Sequence, residues 1–91
     1  MLHIVKHLEK LPLLSAYLLD GDVVLLTENA VYAAAVHSPY QASINDQNLW
    51  LVLYEDLHAR GWLEKCDPRI SVVTMSDFVD LTVTHDKSMT W

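Results

Sequence analysis

Apolar residues fall along the chain in two alternating rhythms. Short unbroken runs are separated by stretches in which leucine or alanine returns every three or four positions. Leu2 to Val5 is a short apolar run and predicts a first strand. Leu8, Leu11, Leu14 and Leu18 recur at helical spacing, with Pro12 suited to a first turn and Gly21 to the left-handed position past a helix end. The run DVVLLT, Asp22 to Thr27, predicts a second strand that is apolar on both faces, as in a strand buried between two helical layers. Thr27 is placed to cap a helix through Ala30, Val31 and Ala33–Ala35, which Pro39 would stop.

NLWLVLY, Asn48 to Tyr54, reads as a third strand, and Glu55 to Arg60 as a short helix ended by Gly61. Trp62 to Pro68 reads as irregular chain or a short edge strand. ISVVT, Ile70 to Thr74, is the fourth strand. Ser76 is expected to cap a last helix running to His85, with Phe78, Leu81 and His85 on one face and Val79 and Val83 on another. Thr84 to Thr90 is polar and leads to Trp91. Strands alternating with helices predict an α/β fold. The expected form is one small domain over residues 1–91, with a mainly parallel sheet of four to five strands and helices on both faces, flavodoxin-like in outline. Right-handed crossovers are expected, but periodicity does not give the strand order.

Composition adds a constraint. The 91 residues are 52% hydrophobic, and a chain this short buries only about 60–65% of its surface on folding. Some apolar surface is therefore expected to be covered by other subunits. Twelve acidic residues against six basic ones give a net charge of −6, and Lys6, Lys10, Arg60, Lys65, Arg69 and Lys87 are scattered. That argues against direct nucleic-acid binding, which rests on clustered cations. One cysteine, Cys66, excludes an internal disulfide. The opening residues have no secretory pattern, and the apolar runs fall well short of the ~20 residues that span a bilayer, so a cytoplasmic location without membrane contact is expected.

Candidate chemistry is sparse. The turn after DVVLLT is Glu28-Asn29-Ala30, with no glycine to let backbone amides approach a phosphate, so no nucleotide cofactor is expected. His3 and His7, if both lie on one strand, stand about 13 Å apart, too far to share an ion, and His37, His58 and His85 have no spacing that joins them; no metal site is expected. Cys66 sits between Lys65 and Asp67 and ahead of a strand, at the edge of the sheet opposite to where α/β sites gather. Glu55-Asp56 are adjacent and do not face each other on a helix, and no G-x-S-x-G elbow is present. No catalytic residue is expected. Trp91 is expected to pack either on the face that carries Phe78 or across a subunit boundary.

Several segments together resemble the TusB/DsrH family of DsrE/DsrF/DsrH-like proteins. They are Met1-Leu2-His3; Gly21 to Leu26; Glu28-Asn29-Ala30-Val31-Tyr32-Ala33-Ala34; Asp56-Leu57-His58-Ala59-Arg60-Gly61; Ile70 to Val73; and Asp77 to Thr82 with the terminal Trp91. The resemblance implies a subunit of a heterohexamer with TusC-like and TusD-like partners. That complex takes persulfide sulfur from a donor protein and passes it to an acceptor, toward 2-thiolation of the wobble uridine of tRNA. It also implies that the working cysteine belongs to the TusD-like partner, in the loop after its third strand; the comparable stretch here is Leu53-Tyr54-Glu55-Asp56. The dissimilatory sulfur-oxidation relatives carry a cysteine in the first helix, where this chain has Leu13-Leu14-Ser15. The expected role is thus non-catalytic. The alternatives are a stand-alone sulfurtransferase using Cys66, a subunit of a dissimilatory sulfur-oxidation complex of the DsrEFH type, and a free-standing small-ligand binder.

Overall fold

A computed structural model describes all residues, 1–91. Its centre is one five-stranded sheet made of β1 (Leu2–Val5), β2 (Val23–Leu26), β3 (Leu49–Leu53), β4 (Ser71–Val73) and β5 (Ser88–Thr90). Every neighbouring pair is parallel and the order is β4-β3-β2-β1-β5. The helices are α1 (Leu11–Ser15), α2 (Tyr54–Ala59) and α3 (Met75–Thr84).

The topology explains the layering. From β1 to β4 the chain steps across the sheet in one direction. It then reverses, and α3 carries it back over the whole sheet to lay β5 beside β1. Right-handed crossovers place the first three connections on one face and the reversed one on the other.

Side chains alternate accordingly. Val5, Val24, Leu26, Trp50 and Val52 join Leu11, Leu14, Val31 and Leu57 in the larger core, under the first three connections. Leu2, Ile4, Val23, Leu25 and Leu51 form the smaller core, covered by Phe78 and Leu81 of α3. Helices therefore lie on both faces, and β1 to β4 run within a residue or two of the expected strands.

Five local expectations need correction. The Leu8–Leu18 periodicity yields a 3₁₀ turn at Leu8–Lys10 followed by only five α-helical residues, because Pro12 is at the start of α1 and the chain leaves the helix after Ser15. Gly21 does have positive φ (87°), but it serves the turn into β2, not the end of α1. Thr27 does not cap a helix: its hydroxyl donates to the Val5 carbonyl (3.2 Å), and Glu28–Ala34 is a 3₁₀ segment. That segment still lies close to the sheet because Ala30, Ala33 and Ala34 present almost no side-chain bulk and are fully buried.

The fourth correction concerns α3. Its cap is Thr74, not Ser76. The Thr74 hydroxyl accepts from the Asp77 N–H (3.3 Å), and the Asp77 carboxylate accepts from the Thr74 N–H (3.0 Å), a reciprocal capping box. The polar stretch after α3 is also not merely a tail. Ser88–Thr90 forms β5, whose side chains are all exposed and whose stability rests on backbone pairing with β1.

Candidate functional site

In open parallel sheets, ligand chemistry gathers beyond the carboxyl ends of the strands. Here that edge is occupied by the chain's own carboxylates. Glu28, just after β2, has φ of +50°, and its N–H donates to Asp56 Oδ2 at 2.7 Å. Glu55, at the start of α2, accepts from the Met75 N–H through both carboxylate oxygens (3.0 and 3.1 Å). Asp77 holds the Thr74 N–H in the capping box. These are the amides that would otherwise be free to meet an incoming anion at the ends of β2 and β4. Arg60 approaches Asp56 at 3.7 Å and Asn29 at 3.4 Å, which fixes the acidic edge in place. The stretch Leu53-Tyr54-Glu55-Asp56 is thus the junction of β3 and α2, and its acids brace neighbouring turns in addition to beginning a helix.

Cys66 lies ahead of β4, in a short antiparallel bridge with Ala35. Its Sγ faces the carbonyls of Asp67 (3.6 Å) and Ile70 (3.9 Å). Burial first, and then the Asp67 charge, push the thiol pKa above its ordinary value. Lys65 gives no visible help, because its ammonium sits 4.9 Å from the Trp62 ring centroid. Asp67 itself is held down to about 2, chiefly by hydrogen bonds from the Arg69 side chain and backbone N–H. The arrangement favours a protonated, poorly nucleophilic thiol.

A second polar cluster was not visible in the sequence. His3 and Asp22 are buried at the base of β1 and β2, with His3 Nε2 2.9 Å from Asp22 Oδ2. Trp91 Nε1–H donates to His3 Nδ1 at 3.1 Å. An indole N–H can only donate, so Nδ1 accepts and Nε2 carries the proton toward Asp22. Burial alone would raise the Asp22 pKa. Bonds from His3, the Leu19 N–H and the Met1 ammonium outweigh it and hold the carboxyl at about 2.

Trp91 is therefore not on the face that carries Phe78. It lies on the opposite face of the sheet, against Tyr17 (ring centroids 5.7 Å apart) and the larger core. Its backbone extends the β1–β5 ladder through bonds with Ile4 and Lys6. No signal short of tertiary structure links position 3 to position 91.

The other histidines are apart from this cluster. His58 stacks on Tyr54, His85 is within 3.0 Å of the Leu81 carbonyl, and His37 borders a hollow beside Tyr32 and Trp62. No three His, Cys, Asp or Glu side chains converge in a geometry that could hold a metal ion. No helix is long and apolar enough to cross a membrane. The outer face of α3 carries an apolar stripe at i, i+4, i+8, namely Met75, Val79 and Val83, all exposed and Val83 80% so.

Comparison with known proteins places this geometry. The family model described as "DsrH like protein" matches residues 6–88. The chain belongs to the DsrH family. Relatives within reach include Protein TusB of Erwinia tasmaniensis, 42% identical over 72 residues, covering 78% of this chain and 76% of that protein. Protein TusB of Buchnera aphidicola subsp. Baizongia pistaciae is 34% identical over 71 residues, covering 77% and 75%. Protein TusB of Escherichia coli K12 is 36% identical over 73 residues, covering 79% and 77%. A solved structure of a protein of unknown function from Methanobacterium thermoautotrophicum superposes with a TM-score of 0.71 at 14% identity, covering 99% of this chain and 96% of that one. At that identity the likeness speaks for the fold alone.

Proposed function

We infer that this DsrH-family chain is a non-catalytic subunit of a sulfur-relay complex of the TusBCD type. It assembles in the cytoplasm with TusC-like and TusD-like partners into a heterohexamer that passes persulfide sulfur toward 2-thiolation of the wobble uridine of tRNA. Residues 1–91 act in it as one domain. The observation that carries this reading is the occupied carboxyl edge of the sheet. Where a TusD-like relative has its working cysteine, this chain has Glu55 and Asp56, and both carboxylates are engaged with backbone amides. The thiol it does have is elsewhere, half-buried and held protonated. The TusB names of its relatives favour the tRNA-thiolation branch over dissimilatory sulfur oxidation.

The assembly half of the reading is supported by the exposed stripe on α3 and by the acidic net charge, which suits protein partners better than tRNA. Co-expression with TusC-like and TusD-like subunits, followed by native mass measurement, tests it. A species holding two copies of each chain is expected. Purification of this chain free of both partners would overturn the reading.

A further inference from the structure

β5 is an edge strand whose outward side is unusually well suited to a second β5. The Trp91 N–H bonds to the Ile4 carbonyl, the Trp91 carbonyl accepts from Lys6, and the Lys87 carbonyl accepts from Leu2. Residues 87 and 91 thus face β1, and so by alternation does Met89. Ser88 and Thr90 turn their N–H and C=O groups outward. The strand pairs with β1 alone, and Ser88, Met89 and Thr90 are uncharged and exposed. The opposite edge, β4, is entered through Asp67-Pro68-Arg69, the kind of charged and proline-bearing approach that discourages edge pairing.

We propose that two copies of this chain pair through antiparallel β5 strands across a two-fold axis at Met89. In that register Ser88 of each copy opposes Thr90 of the other. Their outward groups form two narrow hydrogen-bonded pairs, four bonds in all, and none of the bonds to β1 is disturbed. The two Met89 side chains meet on the face that also carries His3 and Trp91, where Met89, Tyr17 and Leu19 are 45%, 60% and 72% exposed around a hollow of about 180 Å³. Lys87 of one copy comes opposite Trp91 of the other, which sets a cation beside an indole rather than beside a like charge. A single patch satisfying itself in this way is what a two-fold interface requires. The inference rests on the edge strand and holds whether or not the chain serves a sulfur relay.

Disulfide trapping reads the register directly. Opposed residues of a non-hydrogen-bonded antiparallel pair have Cα atoms about 4.5 Å apart, within the span a disulfide bridges. The two copies of Ser88 would stand roughly 9 Å apart, beyond it. In a Cys66→Ser background, Met89→Cys is expected to form a disulfide dimer with oxidised glutathione, and Ser88→Cys to remain largely uncrosslinked. Sedimentation equilibrium of the unmodified full chain is expected to show a dimer. Thr90→Pro, which removes an outward N–H and no bond to β1, should weaken it about tenfold or more with an unchanged far-ultraviolet spectrum. A monomer at 100 µM, on the order of a hundred thousand times the nanomolar range of tight pairs, would overturn the proposal. So would cross-linking of Ser88→Cys as fast as Met89→Cys.

Discussion

Replacing Trp91 separates packing from hydrogen bonding at the end of the chain. Trp91 is half-buried and touches the larger core, Tyr17 and His3. Full truncation of a buried tryptophan costs about 3–5 kcal/mol, so a half-buried one should lose roughly 2 kcal/mol of packing. The second loss is specific. His3 is 2% exposed, and Trp91 Nε1–H is the donor to its Nδ1, so removing the indole leaves a buried acceptor bare at a cost of about 1–2 kcal/mol. Trp91→Ala should therefore destabilise by about 3–4 kcal/mol. Trp91→Phe keeps most of the ring contact and should lose only about 1–2 kcal/mol. Urea unfolding followed by far-ultraviolet circular dichroism, at one fixed protein concentration, resolves the two. With a slope of about 1 kcal/mol per molar urea for so small a chain, the midpoints should fall by about 3 M and 1 M. A midpoint for Trp91→Ala within a few tenths molar of the parent would mean that the residue is frayed and that the His3 contact stabilises nothing.

Two further substitutions separate the capping residues: Thr74→Ala should cost about 1 kcal/mol in thermal unfolding, whereas Ser76→Ala should stay within about 0.5 kcal/mol, and the reverse order would contradict the capping box. Acid stability follows from Asp22 and Asp67, both held at about 2, below the ordinary value near 3.9. The unfolded chain takes up these protons first, so their stabilisation is complete above about pH 4 and is lost as pH falls through 4 toward 2. Each contributes on the order of 1–2 kcal/mol once solvent screening is allowed for. Asp22→Asn should flatten that part of a stability–pH curve, and an unchanged slope would contradict the assignment.

Most of the sheet was legible in the sequence because β1 to β4 announce themselves through apolar side chains. β2 and β3 are buried on both faces, so DVVLLT and NLWLVLY could hardly be anything else. β5 was not legible for the converse reason: Ser88, Met89 and Thr90 bury no side chain, and the strand exists through backbone bonds to β1. The cap of α3 turned on a choice between two adequate residues. Thr74 wins because Asp77 stands three positions later and can return the bond, whereas Val79, three after Ser76, cannot. Thr27 looked like a cap, but its hydroxyl donates to the Val5 carbonyl instead of accepting from a helix N–H, a contact made by strand pairing. The absence of a family-type cysteine was plain from Leu53-Tyr54-Glu55-Asp56 alone. That Glu55 and Asp56 hold amides on two other turns required the sheet to bring positions 28, 55, 56 and 75 together.

The central claim is that the chain carries no sulfur itself, and Cys66 is where it is most exposed to test. In a reconstituted tRNA-thiolation assay with the assembled complex, Cys66→Ser should transfer sulfur at a rate within about twofold of the unmodified protein, since a half-buried, protonated thiol is a poor nucleophile. Loss of most of the transfer, with native mass measurement showing the complex still whole, would contradict the account and make Cys66 a working residue.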